Sequence, residues 1–555
     1  MAGIKRSNGA YDYTERPVKV HRSYAHDRIS NLSDELLLRI LSFGSVPTLL
    51  TCQRVSKRFS RIAVDSELWK AAYYNQFVLP KASRIPGIKD RPASEHLRYS
   101  SKLSKWLDDG SLVKNGLKTN WKQQYRLRHN WSLGQCAVSE IVVAERPPEP
   151  PLLVMMQNGM IFTVDSISGL RVWNAKNEHN LIASATFRAT DLETPRLPTS
   201  MAIDSQDESI GTQRVVVGFD NGSFTIFEMD REKRSITLLF SHPASSNGSL
   251  SALAYSPPFL LTMAEDQLLS LYTFEEELSK SILAPPRLLY SLRSHTVWPP
   301  VSLSIRTNAT SMTAAIAYAL PTYLSGWTVG IQEMRLSYNG KLIESRLATA
   351  AEHNYQSLAG NHSMSSPSSR ASSPFPVGIR EPVLSNNPSR SKPTTLSYSH
   401  PYLLVAHPDN TLTLYLIKST SSVLSIGPGV RLWGHTSSVS GAHVGVRGKA
   451  VSVSRLGDEL RVWDLEGGMA SVAARKHSQN GEISVRIQPS KMPEEFRADL
   501  PDPGSQRNFG LRLALEQGFD DLAVSQGWVG FDERNVIVLR EKSHGSQALV
   551  VYDFS

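Results

Sequence analysis

Two segments in the second half of the chain combine residue types that could do chemistry. His435, Asp458 and Trp463 could form a catalytic grouping, because a histidine near a carboxylate is a common acid–base pair. Residues 441–449 contain glycine and end in lysine, as phosphate-binding loops do. A first glycine of that motif would have to fall at His443, however, and Ala450 stands where Ser or Thr is required. We therefore reject a nucleotide-binding loop.

Other catalytic and metal-binding motifs are absent from the sequence. It contains no Gly-x-Ser-x-Gly or His-Glu-x-x-His pattern, and neither Cys52 nor Cys136 has a Cys or His neighbour at zinc-site spacing. We therefore expect no enzyme activity, no metal and no cofactor. Two cysteines in 555 residues are typical of a reducing compartment, so we expect the cytoplasm, the nucleus or both.

The composition is that of a soluble protein, with 40% hydrophobic and 20% charged residues. The N-terminal residues lack the apolar run of a signal peptide and no 18-residue apolar stretch occurs, so we expect no membrane insertion. The net charge of +9 is unevenly distributed. Residues 1–130 hold 24 basic and 11 acidic side chains, which gives +13, and residues 131–555 therefore carry −4.

The N-terminal part divides into three regions. Residues 1–28 are polar, basic and without periodicity, which predicts a disordered tail. Residues 29–76 predict three short helices. The first is capped by Ser33, the second opens at Pro47 and continues through Val55 and Phe59, and the third starts at Asp65. So small a domain cannot bury all its leucines, so part of its apolar surface should face a partner. Residues 77–130 predict a basic helical connector.

Residues 131–555 predict an all-β domain, because short alternating or apolar runs are separated by Gly, Asn, Asp and Pro. One pattern recurs there, a turn, often with Asp, followed by a strand that ends in an aromatic residue. Six copies end at Trp173, Phe227, Tyr272, Tyr415, Trp463 and Tyr552, and a weaker seventh copy spans Trp327 to Ile331. Most lie 45 to 59 residues apart, which is the spacing of a propeller built from four-stranded blades.

The marker spacing predicts seven blades, within a range of six to eight. If the markers lie on third strands, the final strand needs an outer neighbour, and residues 139–145 from the start of the domain would supply it and close the ring. A β-sandwich, or two stacked β domains, is the competing architecture, which the regular repeat disfavours. The predicted fold is thus a small all-α domain with a helical connector, followed by an all-β propeller.

The segment ISNLSDELLLRILSFGSVPTLLTCQRVSKRFSRIAVDSELWK (residues 29–70) resembles an F-box. It has the Leu-x-x-Glu-Leu-x-x-x-Ile-Leu core, a Val-Ser-Lys-Arg-Phe segment and a final Leu-Trp. It departs from the family at Ser33, where proline is usual, and at Gly44, where an apolar residue is usual. The resemblance implies docking on a Skp-type adaptor through a surface that includes Leu32, Leu36, Ile40, Leu41, Leu49, Leu50, Val55 and Trp69. The alternative is that these residues form the core of the small helical domain, as some of them must.

The second half resembles WD repeats, with one well-formed copy from Gly434-His435 to Trp463-Asp464. In that family His, Ser or Thr, Asp and Trp form a buried hydrogen-bond chain within the blade. The resemblance therefore gives His435, Ser452, Asp458 and Trp463 a structural role rather than a catalytic one. The whole chain resembles F-box/WD-repeat proteins of the fungal type.

These resemblances imply a non-catalytic substrate receptor of an SCF-type cullin–RING ubiquitin ligase, which marks proteins for proteasomal degradation. The adaptor would connect the chain to the cullin and RING subunits, and the propeller would hold the protein to be ubiquitinated. The alternative is a propeller scaffold that binds nucleic acid or chromatin through its basic N-terminal half.

Two smaller sites carry two interpretations each. Arg455 resembles the arginine that binds phosphate in receptors of phosphorylated substrates, but Ser440 stands where a second such arginine is expected, and a solvated loop arginine is the alternative.

Residues 354–397, rich in Ser and Pro, predict a disordered insertion. Its Ser366-Pro367 and Ser373-Pro374 suit proline-directed kinases, and an unregulated spacer is the alternative.

Overall fold

The computed structural model describes most of the chain. The described residues are 29, 31–79, 120–146, 148–175, 180–187, 196–204, 211–274, 283–308, 310–322, 326–350, 391–420, 422–445, 448–454, 459–465, 484–489, 528–541 and 547–555. The chain divides into two compact units, residues 1–125 and 126–555. The predicted tail at 1–28 and most of the predicted connector, 80–119, lie outside the described residues.

The first unit is helical. Its helices are α1 (Asp34–Leu41), α2 (Val46–Cys52), α3 (Lys57–Ala63) and α4 (Ser66–Tyr73), and α4 continues into a π-helical turn (Tyr74–Val78). The prediction of a single second helix was wrong, because Ser56 is extended (φ −157°, ψ 165°) and interrupts it. The Ser56 hydroxyl accepts a hydrogen bond from the Phe59 amide and so begins α3. Ser33 is the N-cap residue of α1, but its side chain makes no capping bond.

A fifth helix, α5 (Trp121–Leu133), begins in the predicted connector and ends beyond it. The expected boundary at residue 131 was therefore wrong, and the first strand of the β domain starts at Gln135. The reason is that Trp131 is a helical residue whose ring stacks on Phe554, with centroids 4.1 Å apart. Its indole N–H also donates to the Glu533 carbonyl, so the last turn of α5 belongs to the propeller core.

The second unit is a ring of seven four-stranded blades. Blade 1 contains β2 (Leu153–Gln157), β3 (Met160–Asp165), β4 (Gly169–Asn174) and β5 (Leu181–Ala185). Blade 2 contains β6 (Pro198–Ile203), β7 (Thr212–Phe219), β8 (Phe224–Asp230) and β9 (Ser235–His242). Blade 3 contains β10 (Leu250–Ser256), β11 (Phe259–Ala264), β12 (Leu268–Thr273) and β13 (Arg287–Arg293). Blade 4 contains β14 (Trp298–Thr307), β15 (Ser311–Thr322), β16 (Gly326–Ser337) and β17 (Leu342–Thr349).

The remaining blades complete the ring. Blade 5 contains β18 (Thr395–Ser399), β19 (Tyr402–Ala406), β20 (Leu412–Ser419) and a divided outer strand, β21 (Leu424–Ile426) and β22 (Val430–Leu432). Blade 6 contains β23 (Val439–Val444), β24 (Lys449–Ser454), β25 (Leu460–Asp464) and β26 (Ser484–Arg486). Blade 7 contains β28 (Val529–Phe531), β29 (Asn535–Glu541), β30 (Gln547–Asp553) and β1 (Gln135–Ala144), with β27 (Gln488–Pro489) parallel to β1.

Each of the seven sequence markers lies on the third strand of its blade, as in β4, which carries Trp173, and β25, which carries Trp463. The predicted propeller and its blade number are therefore confirmed, and the sandwich alternative is wrong. A separate buried apolar cluster fills each of the seven interfaces between neighbouring blades. These interfaces, rather than one central core, hold the ring together.

The ring closes with a strand from the start of the domain, as predicted. β1 pairs antiparallel with β30 from Ala137 opposite Asp553 to Ala144 opposite Gln547. Gly134, immediately before β1, has a φ of +69°. A Cβ atom there would lie 2.5 Å from the Arg486 carbonyl oxygen, so only glycine allows the chain to pass this close to the outer strand of blade 6.

The predicted insertion at 354–397 extends too far. Thr395–Ser399 forms β18, the first strand of blade 5, with Leu396 and Tyr398 buried against blade 4. Thr395, Leu396 and Ser397 thus belong to a strand. The sequence did not indicate this strand, because the residues before it are rich in Ser and Pro. Residues 351–390, with Ser366 and Ser373, lie outside the described residues.

Candidate functional site

An exposed apolar stripe follows α1 and the turn after it. Leu36 and Ile40 are 53% and 52% exposed, and Phe43 is 76% exposed. Leu36 and Ile40, four residues apart, lie on one face of α1. Phe43 lies in the turn just after the helix, and we call these three exposed side chains the stripe. The Arg39 guanidinium lies 4.8 Å from the centre of the Phe43 ring. Three large apolar side chains left in water on one face are typical of a surface that binds another protein.

The eight residues predicted to face the adaptor divide into two groups. Leu36, Ile40, Leu50 and Val55 are all about half exposed or more. Leu41, Leu49 and Trp69 are buried, and Leu32 packs against the same core. The prediction that those three buried side chains present a docking surface was wrong, because they fill the interior of the helical unit. Trp69 also donates its indole N–H to the Ala63 carbonyl at 2.8 Å.

Phe43, Ile29 and Val64 are exposed apolar residues that the predicted adaptor surface omitted. Phe43 had a usable signal, since it continues the helical spacing of Leu36 and Ile40. It lies just after α1 rather than within it, where the chain turns toward Ser45 and α2.

Asp34 fixes the beginning of α1. Its carboxylate bonds the Arg58 guanidinium at 2.7 Å and the Arg61 guanidinium at 2.6 Å, both from α3. The hydrogen bond from Arg58 is the main cause that lowers the pKa of Asp34. Arg58 also donates to the Leu32 carbonyl, so one side chain ties the residues before α1 to α3. This contact orients the helix that carries the stripe.

The WD-like blade 6 brings three of its four predicted residues together. The His435 Nε2 atom lies 2.6 Å from the Ser452 hydroxyl, and the Trp463 indole donates to the same hydroxyl at 2.8 Å. Asp458, the fourth, lies outside the described residues. All three side chains are at most 3% exposed. Buried in this way, the three side chains are placed for hydrogen bonding within the blade.

Glu459 is a member of this group that sequence reasoning missed. Its Oε2 atom lies 3.5 Å from His435 Nδ1 and accepts hydrogen bonds from the amide and hydroxyl of Thr436. Its Oε1 atom accepts from Arg461 at 2.8 Å. Burial opposes ionisation of the carboxyl, but the nearby His435 and the hydrogen bonds from Thr436 and Arg461 outweigh it and lower the pKa of Glu459.

A second buried carboxylate joins blades 4 and 5. Glu333, 1% exposed, accepts a hydrogen bond from the Ser419 hydroxyl at 2.6 Å and from Arg346 at 3.2 Å, and it also pairs with Arg306. The sequence offers no motif for this network, since its members come from four strands. It fixes the position of blade 5 relative to blade 4.

The phosphate-binding prediction at Arg455 falls outside the described residues. Ser440, at the place of the expected second arginine, is 5% exposed and donates to the Val453 and Ser454 carbonyls. Arginines near the turns between second and third strands bind the acidic side chains of those turns. These pairs are Arg171–Asp165, Arg293–Asp266, Arg431–Asp409 and Arg461–Glu459.

Within the described ranges, no group of three His, Cys, Asp or Glu side chains is placed to hold a metal ion. Over the same part of the chain, no helix is long and apolar enough to cross a membrane.

Family comparisons match both units. Residues 29–75 match the F-box-like family model, and residues 136–555 match the family model described as F-box protein pof12 beta-propeller. The two matches join an F-box and a propeller in one chain and confirm the resemblance drawn from the sequence.

Individual proteins match the chain over a shorter length or with a lower sequence identity. F-box protein dre-1 of Caenorhabditis elegans is 31% identical over 116 residues, which is 21% of this chain and only 11% of that protein. Among solved structures, Sqt1 of Saccharomyces cerevisiae covers 75% of this chain and 98% of its own, with a TM-score of 0.39 and 9% identity. U3-55K covers 75% of this chain and 98% of its own, with a TM-score of 0.38 and 8% identity.

Proposed function

The chain belongs to the family of the F-box protein pof12 β-propeller, and on this premise we propose that it is the substrate receptor of an SCF-type ubiquitin ligase. F-box domains generally bind Skp-type adaptors, and the F-box/propeller architecture is typical of non-catalytic receptors. The observation that carries the proposal is the stripe of Leu36, Ile40 and Phe43, which remains exposed although the helices beneath it share a buried apolar core.

The energetics favour a protein partner for this stripe. Removing a leucine-sized side chain from water contributes roughly 1.5 to 3 kcal/mol, and the half-exposed residues of the stripe would gain the remaining part of that energy on docking. The helical unit offers no further apolar contact among its described residues to cover them. A complementary apolar groove on the adaptor would do so.

In this role the receptor contributes proximity rather than chemistry. The adaptor would link the F-box to the cullin and RING subunits, and the propeller would hold the substrate. A substrate lysine held near the loaded ubiquitin-conjugating enzyme reacts as if the encounter were intramolecular. No side chain of the receptor has to take part in the transfer.

The experiment that tests the proposal is a pull-down of the full chain carrying Leu36→Glu with Ile40→Glu. Two carboxylates on the stripe would have to be buried without partners, so we expect the adaptor and cullin to be lost from the complex. The matched control is Leu238→Glu with Ile343→Glu, two equally exposed residues of the propeller (53% and 54%). Recovery of adaptor and cullin with the stripe variant would refute the receptor role.

A further inference from the structure

Ser42 forms the end of α1 and lies inside the stripe. It is the C-cap residue of α1, is exposed, and stands between Ile40 and Phe43 in the chain. In a continued α-helix the Phe43 amide would donate to the Arg39 carbonyl, but here it donates to the Ile40 carbonyl. The Ser42 hydroxyl donates to the Arg39 carbonyl instead, at 2.7 Å. One exposed hydroxyl therefore supplies a hydrogen bond that the helix end needs.

A positive charge without an acidic partner lies next to this hydroxyl. Among the described residues, the ion pairs of α1 are those of Asp34, and Arg39 takes no part in them. The Arg39 guanidinium instead lies over the ring of Phe43, the residue that follows Ser42. Residues three apart on a helix are neighbours, so this guanidinium is within reach of an anion on Ser42.

The residues around Ser42 match what arginine-directed protein kinases select. These kinases bind an arginine three residues before the acceptor serine through acidic side chains, and Arg39 holds that position. A kinase also needs its substrate in an extended form, and the last turn of a helix opens at a lower cost in free energy than its interior. Ser42 therefore combines a basic recognition signal with a local structure that a kinase can open.

We propose that Ser42 is phosphorylated by an arginine-directed kinase and that the phosphate prevents the adaptor from docking on the stripe. The inference rests on the proposed receptor function, to which it adds a means of regulation. In the transfer, the Ser42 Oγ atom forms a bond to the γ-phosphorus of ATP, and the bond from this phosphorus to the β–γ bridging oxygen breaks. ADP leaves, and the hydroxyl proton passes to the catalytic base of the kinase.

A phosphate on Ser42 weakens the end of α1. The esterified oxygen has no hydrogen to donate, so the Arg39 carbonyl loses the bond that Ser42 supplies. The phosphate also adds about 1.5 to 2 negative charges at neutral pH. These charges lie at the C-terminus of α1, where the helix dipole is already negative. The turn that holds Phe43 is therefore less stable with the phosphate than without it.

The phosphate also places charge inside the apolar stripe. Docking would have to remove water from an anion between Ile40 and Phe43, which is costly unless the anion is fully paired. Arg39 supplies one positive charge, so a net negative charge remains. A guanidinium that binds the phosphate also leaves the Phe43 ring. Pairing with Arg39 thus lowers the cost of burying the stripe without removing it.

The first test compares adaptor affinity with and without the phosphate. Phosphoserine is inserted at position 42 of the full chain during translation, and binding to a purified Skp-type adaptor is measured by biolayer interferometry. We expect Kd to rise about a hundredfold or more, which is the effect of leaving a charge uncompensated in an interface. Ser42→Ala loses the hydroxyl bond but adds no charge, so it should bind within about threefold of the parent chain.

The matched control carries phosphoserine in place of Ser246, an exposed turn residue of the propeller, and should bind the adaptor like the parent chain. Equal or tighter binding by the chain with phosphoserine at position 42 would overturn the proposal. Circular dichroism of each protein shows whether its helices persist. A loss of the helical signal together with binding would also overturn the proposal, because the phosphate would then unfold the domain rather than block its surface.

The second test asks whether a kinase reaches Ser42 in the folded chain. The full chain is incubated with ATP and calcium/calmodulin-dependent protein kinase II, an arginine-directed enzyme, and mass spectrometry quantifies phosphate at Ser42. We expect modification at Ser42 that is at least about tenfold slower in Arg39→Gln, because a charge-assisted pair contributes about that factor. Excess adaptor should suppress the modification, since coupling between two ligands is reciprocal. Absence of phosphate at Ser42, or equal rates with and without Arg39, would overturn the proposal.

The receptor role and its regulation fail in different ways. If the unmodified chain does not bind the adaptor, the receptor role is refuted and the regulation falls with it. If the unmodified chain binds the adaptor and the chain with phosphoserine at position 42 binds it equally well, only the regulation is refuted.

Discussion

Glu459 occupies the position beside His435 for which the WD resemblance proposes Asp458. It is a better partner than its sequence suggests, because a longer side chain reaches both His435 and Thr436 while its second oxygen holds Arg461. A carboxylate that is 1% exposed is stable only when such donors replace its water shell. We therefore expect the charge of Glu459, rather than its size, to stabilise the folded propeller.

The change Glu459→Gln tests that charge. The amide keeps the shape but loses the charge-assisted bond to Arg461, and we expect a loss of about 1.5 to 3 kcal/mol in the free energy of unfolding at neutral pH. Since folding lowers the pKa of Glu459 below its ordinary 4.5, its stabilisation is fully present above that pH and is lost as the pH falls below it.

Urea unfolding of both proteins at several pH values measures this effect. The difference between parent and variant should be largest at pH 7 and shrink below about pH 4, near the ordinary pKa of glutamate. Glu232→Gln, at an exposed turn, is the control and should show little difference at any pH. If the difference in the free energy of unfolding between parent and variant stays constant down to acidic pH, the charge of Glu459 does not stabilise the fold.

In α1 the sequence could not show which side chains are buried and which are exposed. Leu36, Leu37 and Leu38 are consecutive, so together they cover most of the helix circumference and no spacing rule shows which one points inward. Leu37 is 1% exposed and Leu36 is 53% exposed. The packing of α3 and α4 makes that choice, and it arises only when the helices meet. The prediction therefore found the F-box but mixed its core with its surface.

At the level of elements, short local signals decided which predictions held. The recurring turn and aromatic residue, with the weaker copy at Trp327–Ile331, located all seven third strands. The interruption between α2 and α3 was missed because Val55 and Phe59 continue the helical spacing through it. The N-cap bond of Ser56 outweighs that spacing, since it replaces a lost backbone bond at the helix start.

Gly134→Ala tests the element junction where α5 gives way to β1. The left-handed backbone at φ +69° costs a non-glycine residue about 1 kcal/mol or more, and the new Cβ would collide with the Arg486 carbonyl oxygen. We expect a loss of about 2 kcal/mol or more, seen as a lower melting temperature of the propeller. Gly211→Ala is the matched control, because a Cβ there meets nothing within 4 Å. Equal melting of both variants would show that the junction tolerates a side chain.

For the whole molecule, the ring depends on a strand that is distant in sequence from its partner. β1 pairs with β30 along seven residues, and Ile141 and Val143 pack in the interface between blades 7 and 1. The sequence could reveal this closure because the last marker lies on a third strand, which leaves a blade incomplete. It could not reveal the parallel contact of β27, whose two residues carry no strand pattern.

Two deletions test whether that closure holds the whole propeller together. Removing residues 1–119 keeps α5 and β1, and we expect the remaining chain to be monomeric, with the propeller melting as in the parent. Removing residues 1–144 also removes β1, which leaves the edge of β30 unpaired and opens the interface of blades 7 and 1. An unpaired strand edge invites pairing with another chain, so we expect a much lower melting temperature and self-association. Size-exclusion chromatography with light scattering measures the association state of both deletions, and thermal melts measure their stability. If the deletion of residues 1–144 is monomeric and as stable as the deletion of residues 1–119, the other six interfaces suffice to hold the ring.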